Sequence, residues 1–266
     1  MLKLSSTLSR LCYSCLVLGA PLFAQLPVCP GSPAASEVNQ GIKAYKDAQY
    51  AQAAEHLQAA TQADPSCANA RLYLGNAYMQ QYIPGAESPE NQALAEKARE
   101  QYEMVLDQQP ENQQAMESIA SLYFNRKKLD DAQVWYEKLA VVNPDNKAAR
   151  YTLGVIAWTR SYRACTEART KMGMKPDEPG PLKDAAVRQT LRARYLPVVQ
   201  EGIDHLNRAI EVDAEYDDAM AYLNLLYRQK ADLEDRAEDY RDDIAKADEW
   251  VQKSLDVRKE KAGRQP

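Results

Sequence analysis

Beyond residue 33 the apolar positions recur as one repeating unit. Each unit opens with an apolar helix carrying a small residue where it faces its neighbour. It turns, enters a second helix with an alanine at the crossing point, and generally stops at a proline-marked turn. Residues 113–146 are the most regular copy, with Ile119, Ala120 and Tyr123 on the first helix and Ala132, Tyr136 and Pro144 on the second. Residues 34–67 repeat it with Gly41, Tyr45, Tyr50, Ala53, Leu57, Ala60 and Pro65. Residues 68–112 do so with Leu74, Gly75 and Tyr78, then Ala98, Tyr102 and Pro110. Residues 147–216 open on YTLGVIAW, which supplies Leu153 and Gly154, and residues 217–260 on MAYLNLLY, which supplies Leu223 and Tyr227.

Three copies are stretched. In the second, YIPGAESPENQ adds about eleven residues rich in Pro, Gly, Ser and Asn, which predicts an enlarged loop. The fourth predicts a long helical hairpin projecting from the stack, turning at KPDEPGP, with Pro197 kinking or restarting the returning helix. Its register returns at Ala209 and Asp213, where Ala214 replaces the usual Pro. In the fifth, LEDRAEDY turns without Gly or Pro, and Ala247, Val251 and Ser254 mark the closing helix.

The unit resembles the tetratricopeptide repeat, in an exported bacterial form, over a period of about 34 residues. That resemblance implies an all-α, right-handed solenoid of five helix pairs over residues 34–260, with 261–266 as a tail. The packing logic is physical. Gly41, Ala53, Gly75, Ala98, Ala120, Ala132, Gly154 and Ala209 let helices approach closely while Tyr, Leu and Trp fill the space around them. No single pair buries its apolar face alone, so the pairs stack.

Composition narrows the functional classes. A net charge of -5 argues against nucleic-acid binding, which needs a concentrated basic surface. Residues 1–24 resemble a signal peptide, with Lys3 and Arg10 ahead of an apolar stretch and Ala24 at a cleavage position; an uncleaved anchor is the alternative. Residues 25–33 then form a leader, and Val28 before Cys29 does not suit a lipoprotein signal. Export would remove Cys12 and Cys15 and leave Cys29, Cys67 and Cys165. In an oxidising compartment a Cys29–Cys67 bridge would pin the leader to the turn closing the first pair; three unpaired thiols are the alternative.

Groups for catalysis are sparse. His56 and His205 lie on second helices of different pairs without a Ser or Cys partner at suggestive spacing, and are read as surface or interface residues. The acidic run EDRAEDYRDD reads as a solvated helix face. No catalytic group, metal site or cofactor is expected.

Binding residues follow from the resemblance, which implies that first helices line a concave surface. Their inward positions are Val38, Ile42 and Tyr45, then Leu72, Asn76 and Met79, then Glu117, Ser121 and Phe124, then Tyr151, Val155 and Trp158. A row of Tyr45, Met79, Phe124 and Trp158 suits an extended peptide or amphipathic helix, with Asn76 and Glu117 fixing backbone groups; packing against the next pair is the alternative use. The carboxylate clamp of some chaperone adaptors is not matched, since only Asn76 fits it. A second candidate surface is the hairpin. Residues 160–194 hold nine Lys/Arg against four Asp/Glu, including Arg160, Arg163, Lys171, Arg188, Arg192 and Arg194, whereas residues 201–266 hold eighteen acids against eleven bases. The hairpin would contact anionic headgroups, an acidic partner or the chain's own acidic region. Together these features describe a non-enzymatic envelope scaffold or adaptor for another protein. A self-associating homo-oligomeric module, or an accessory to an enzyme or metal-binding protein, is the alternative.

Overall fold

The computed structural model describes residue 29 and residues 31–175 and 178–264. The signal segment, with Cys12 and Cys15, and most of the leader lie outside them. Among the described residues are ten helices and no strand, arranged as five antiparallel pairs. These are α1 (Ala35–Lys46) with α2 (Tyr50–Ala63), α3 (Ala68–Gln81) with α4 (Pro89–Gln108), and α5 (Gln113–Asn125) with α6 (Leu129–Val142). They continue with α7 (Lys147–Lys171) paired to α8 (Ala185–Val212), and α9 (Asp217–Asp232) to α10 (Ala237–Gly263). The last helix thus runs into the segment expected to be a tail.

Local chemistry sets the helix ends. Asn112 and Asn146 cap α5 and α7 by accepting from the backbone N–H of Ala115 (3.0 Å) and Ala149 (2.9 Å). Between pairs, Asp64, Asn143 and Asp213 each turn the chain by accepting from the N–H two residues on, at 3.0, 3.2 and 3.0 Å. This side-chain turn explains how the fourth pair stops correctly with Ala214 in place of Pro. The tight turns inside the first and third pairs place Ala48 and Lys127 at φ 57° and 58°, a left-handed conformation that non-glycine residues adopt at a cost of about 1 kcal/mol.

Packing follows the small residues. A Cβ on Gly75 would lie 2.5 Å from the Tyr102 ring, and one on Gly41 2.5 Å from Leu57, so each first helix rests directly on a large side chain of its own partner helix. Gly154 stands in the same relation to Leu206 in the fourth pair. The cores then pass from pair to pair: Met116, Ala120, Ala132, Tyr136 and Leu139 join Ala149, Leu153 and Ile156 across α5, α6 and α7.

Three expectations about the stretched copies are corrected. The extra residues of the second pair do not form one long loop, because Ser88 accepts from Asn91 N–H at 3.2 Å and Pro89 starts α4, leaving a loop of residues 82–88. Buried Asn91 ties that loop down, accepting from Ile83 N–H and donating to the carbonyls of Ile83 and Ala86, all at 2.8 Å. The hairpin of the fourth pair does not project freely. Its end packs Cys165, Ala168, Met174 and Leu182 against Leu233, and Leu182 N–H donates to the Asp232 carbonyl. Nor does Pro197 restart the returning helix: α8 is continuous through it. The proline withholds a donor from the Ala193 carbonyl, which lies on an exposed stretch where water can serve it.

Candidate partner-binding surface

The first helices bring together some of the expected row and bury the rest. Val38 is enclosed by Ala34, Ala60, Cys67 and Ala70, and Leu72 by Ala98, Tyr102, Val105, Ala115 and Ile119. The following pair covers both, so they belong to the core and not to a binding face. Val155 is buried as well. Ile42, Tyr45, Asn76, Met79, Ser121, Phe124, Tyr151 and Trp158 are half-buried, and Glu117 is exposed.

Aromatic contacts link neighbouring pairs along this surface. Tyr45 meets Tyr50 and Tyr73 edge-on at 5.4 and 6.0 Å. Farther along, Tyr151 contacts Tyr216 and Tyr222 at 5.2 and 5.6 Å, and Trp158 contacts Tyr162 and Tyr222 at 4.7 and 5.6 Å. The aromatic row therefore serves packing between pairs while keeping part of each ring open to solvent. Tyr73 and Tyr222 had not been singled out in the sequence; the signal was their shared register, each immediately before the leucine of its unit, Leu74 or Leu223.

Buried tyrosines of the second helices reach polar groups on the same surface. Tyr102 donates its hydroxyl to Asn76 Oδ1 at 2.7 Å, and Tyr136 hydrogen-bonds Ser121 Oγ at 3.0 Å. Burial raises both phenols well above the usual range. Glu117 differs from its neighbours. It is open to solvent yet surrounded closely enough that desolvation raises its carboxyl, the combination expected inside a concavity.

The basic hairpin is turned inward in part. Arg188 pairs with Asp235 at 3.1 Å and Arg192 with Glu234 at 2.5 Å, while Arg169 reaches Asp232 at 2.6 Å in a largely buried pair. Arg160 pairs with Asp130 on α6, Arg163 with Glu167 on its own helix, and Arg194 lies 5.2 Å from the Tyr195 ring centroid. Lys171 is exposed. Three of the bases in residues 160–194, Arg169, Arg188 and Arg192, thus meet the acids at the α9–α10 corner. Lys230 joins them through Asp243 at 2.7 Å and Glu234 at 3.1 Å.

His56 hydrogen-bonds Glu37 at 2.8 Å, and His205 lies 3.1 Å from Arg150, where burial and that guanidinium push its pKa down. Cys29 and Cys67 form a disulfide, and the neighbouring Ser32 donates to Asp64 at 2.5 Å. Cys165 is buried, its thiol pushed up to about 12 by burial and by Asp232. Among the described residues no group of three or more His, Cys, Asp or Glu side chains is arranged to hold a metal, and no helix is long and apolar enough to cross a membrane.

Residues 38–86 and 91–140 match the tetratricopeptide repeat family. These stretches are tetratricopeptide repeats. The chain's solved structural relatives include a MamA protein, 15% identical with a TM-score of 0.58, covering 88% of this chain and 96% of that one. MamA residues 41 to the end from Desulfovibrio magneticus RS-1 are 14% identical with a TM-score of 0.56, covering 85% and 96%. YrrB, described as a tetratricopeptide repeat protein with an unusual peptide-binding site, is 14% identical with a TM-score of 0.54, covering 83% and 84%. No curated protein matches the sequence. At these identities the structural likeness establishes the repeat fold alone.

Proposed function

We propose that this tetratricopeptide repeat protein is a non-enzymatic adaptor of the cell envelope that holds a segment of a partner protein on the face of its first helices. One observation carries this reading: Tyr45, Met79, Phe124 and Trp158, at one register position of four successive pairs, are all half-buried, so each packs at its base and offers its edge to a ligand. The peptide-binding site named for YrrB makes such a use reasonable for the same fold. Export is supported by the basic and apolar start of the sequence and by the Cys29–Cys67 disulfide, a bond that persists in oxidising compartments. The inward pairing of Arg188 and Arg192 weighs against the hairpin as the main contact.

Affinity purification after in-cell crosslinking, with mass spectrometry, tests the proposal. Because Phe124 and Trp158 also pack at their bases, alanine replacements are the suitable variants, with helicity checked by circular dichroism. A partner captured by wild type and lost from the folded double variant is the expected result. Equal capture would move the site elsewhere. Recovery of self-crosslinks alone would favour a homo-oligomer, a reading that Val251 and Leu255, both exposed one turn apart on α10, give some footing.

A further inference from the structure

Glu117 is the one acidic side chain among the first-helix positions expected to face inward in the first four pairs; the others are apolar, aromatic or uncharged polar groups. It makes no hydrogen bond or ion pair among the described residues, and no cation offsets the desolvation that raises its carboxyl. Asp145 and Glu167, two exposed carboxylates elsewhere, each have an arginine partner. Around Glu117 the surface is built. Ser121, one turn along the same helix, is hydrogen-bonded to the buried Tyr136 hydroxyl, and the Glu117 charge adds to the burial that raises that phenol. The half-buried Tyr151 occupies the equivalent register on α7, the first helix of the next pair. An unmatched carboxylate on an otherwise neutral, aromatic surface leaves a charge for a ligand to complement.

We infer that the segment held on the first-helix face is an apolar segment carrying a basic side chain, Lys or Arg, that pairs with Glu117. The inference rests on the first-helix reading proposed above and adds the chemistry of the ligand. The apolar part of the segment lies along Met79, Phe124 and Trp158, and the cation sits between them at the third pair. A guanidinium suits this place best, since it can donate two hydrogen bonds to the carboxylate and stack its plane on a neighbouring aromatic ring. A segment with an acidic residue at that point would be rejected by like charge in a partly desolvated setting.

The test measures binding of the purified chain to three fluorescent pools of synthetic peptides about a dozen residues long. The pools are degenerate over apolar and uncharged polar residues and carry a fixed central Arg, Gln or Glu. Wild type should bind the Arg pool at least about tenfold more tightly than the Gln pool, with the Glu pool weakest. Glu117→Gln, a substitution at an exposed position, should erase the difference between the Arg and Gln pools while retaining binding to the Gln pool. Equal binding of all pools by wild type, abolished in a folded Trp158→Ala variant, would overturn the basic residue and leave the first-helix site standing. An Arg preference that survives Glu117→Gln would overturn the role of Glu117. Failure of every pool to bind would overturn the inference and count against the first-helix site as well.

Discussion

Replacing Gly154 by alanine sets two physical effects against each other. Alanine is the better helix former by about 1 kcal/mol, so in an exposed helix the change would stabilise. Here the new Cβ would overlap Leu206 Cγ and lie 2.6 Å from one of its methyl carbons. Leu206 is fully buried among Val199, Ile203, Leu223 and Leu226, so it has little room to turn away. Overpacking of this kind costs about 1–3 kcal/mol, and more where no rotamer relieves it, so the net change should be a loss of about 1–2 kcal/mol. Leu206→Ala alone should cost about 3 kcal/mol through the cavity it leaves. The double variant lets the new methyl group use part of that cavity, so its loss should fall short of the sum by at least about 1 kcal/mol. Urea unfolding followed by helical circular dichroism measures all four proteins. A stabilising Gly154→Ala, or strictly additive losses, would refute the close approach of α7 and α8 and with it the register assigned to the stretched fourth pair.

Further expectations concern features outside the binding face. Removing the Cys29–Cys67 disulfide by a double serine replacement opens a link across 38 residues and should cost about 4 kcal/mol on a chain-entropy account; thiol labelling before and after reduction checks that the bond is present. Arg169→Ala leaves Asp232 buried without its partner, which should cost about 3 kcal/mol locally and speed protease cleavage within residues 172–184. His205 has a depressed pKa when folded, so the unfolded chain takes up its proton first as pH falls. Its stabilising contribution is full above the unfolded value near 6.5 and is lost as pH falls through the folded value. His205→Gln should therefore flatten the fall in Tm between about pH 7 and pH 5.

The repeat was legible because its determinants are local or periodic. Asn112 and Asn146 announce helix starts, Asp64, Asn143 and Asp213 announce stops, and Gly75 and Gly154 mark close contacts at a fixed spacing. The start of α4 is hard to see in the sequence because Pro, Ser and Asn are also loop formers. In SPEN they serve a helix, with Ser88 as the cap and Pro89 in the first turn. Docking of the hairpin depended on pairs such as Arg169 with Asp232, which are 63 residues apart and have no sequence pattern to join them. The binding row was only partly legible for a related reason. Register places Val38, Leu72, Glu117 and Tyr151 alike, but how far the next pair covers each depends on the packing between pairs. Thus Leu72 lies in the core while Glu117 faces solvent.

Site-specific photo-crosslinking in cells decides whether a partner lies along the first helices. A photoreactive residue at Gln80, an exposed position late in α3, would be compared with one at Val141, strongly exposed on the second helix α6. A partner on the first helices gives a discrete crosslinked species from position 80 and none from position 141. Capture from position 141 alone would contradict it.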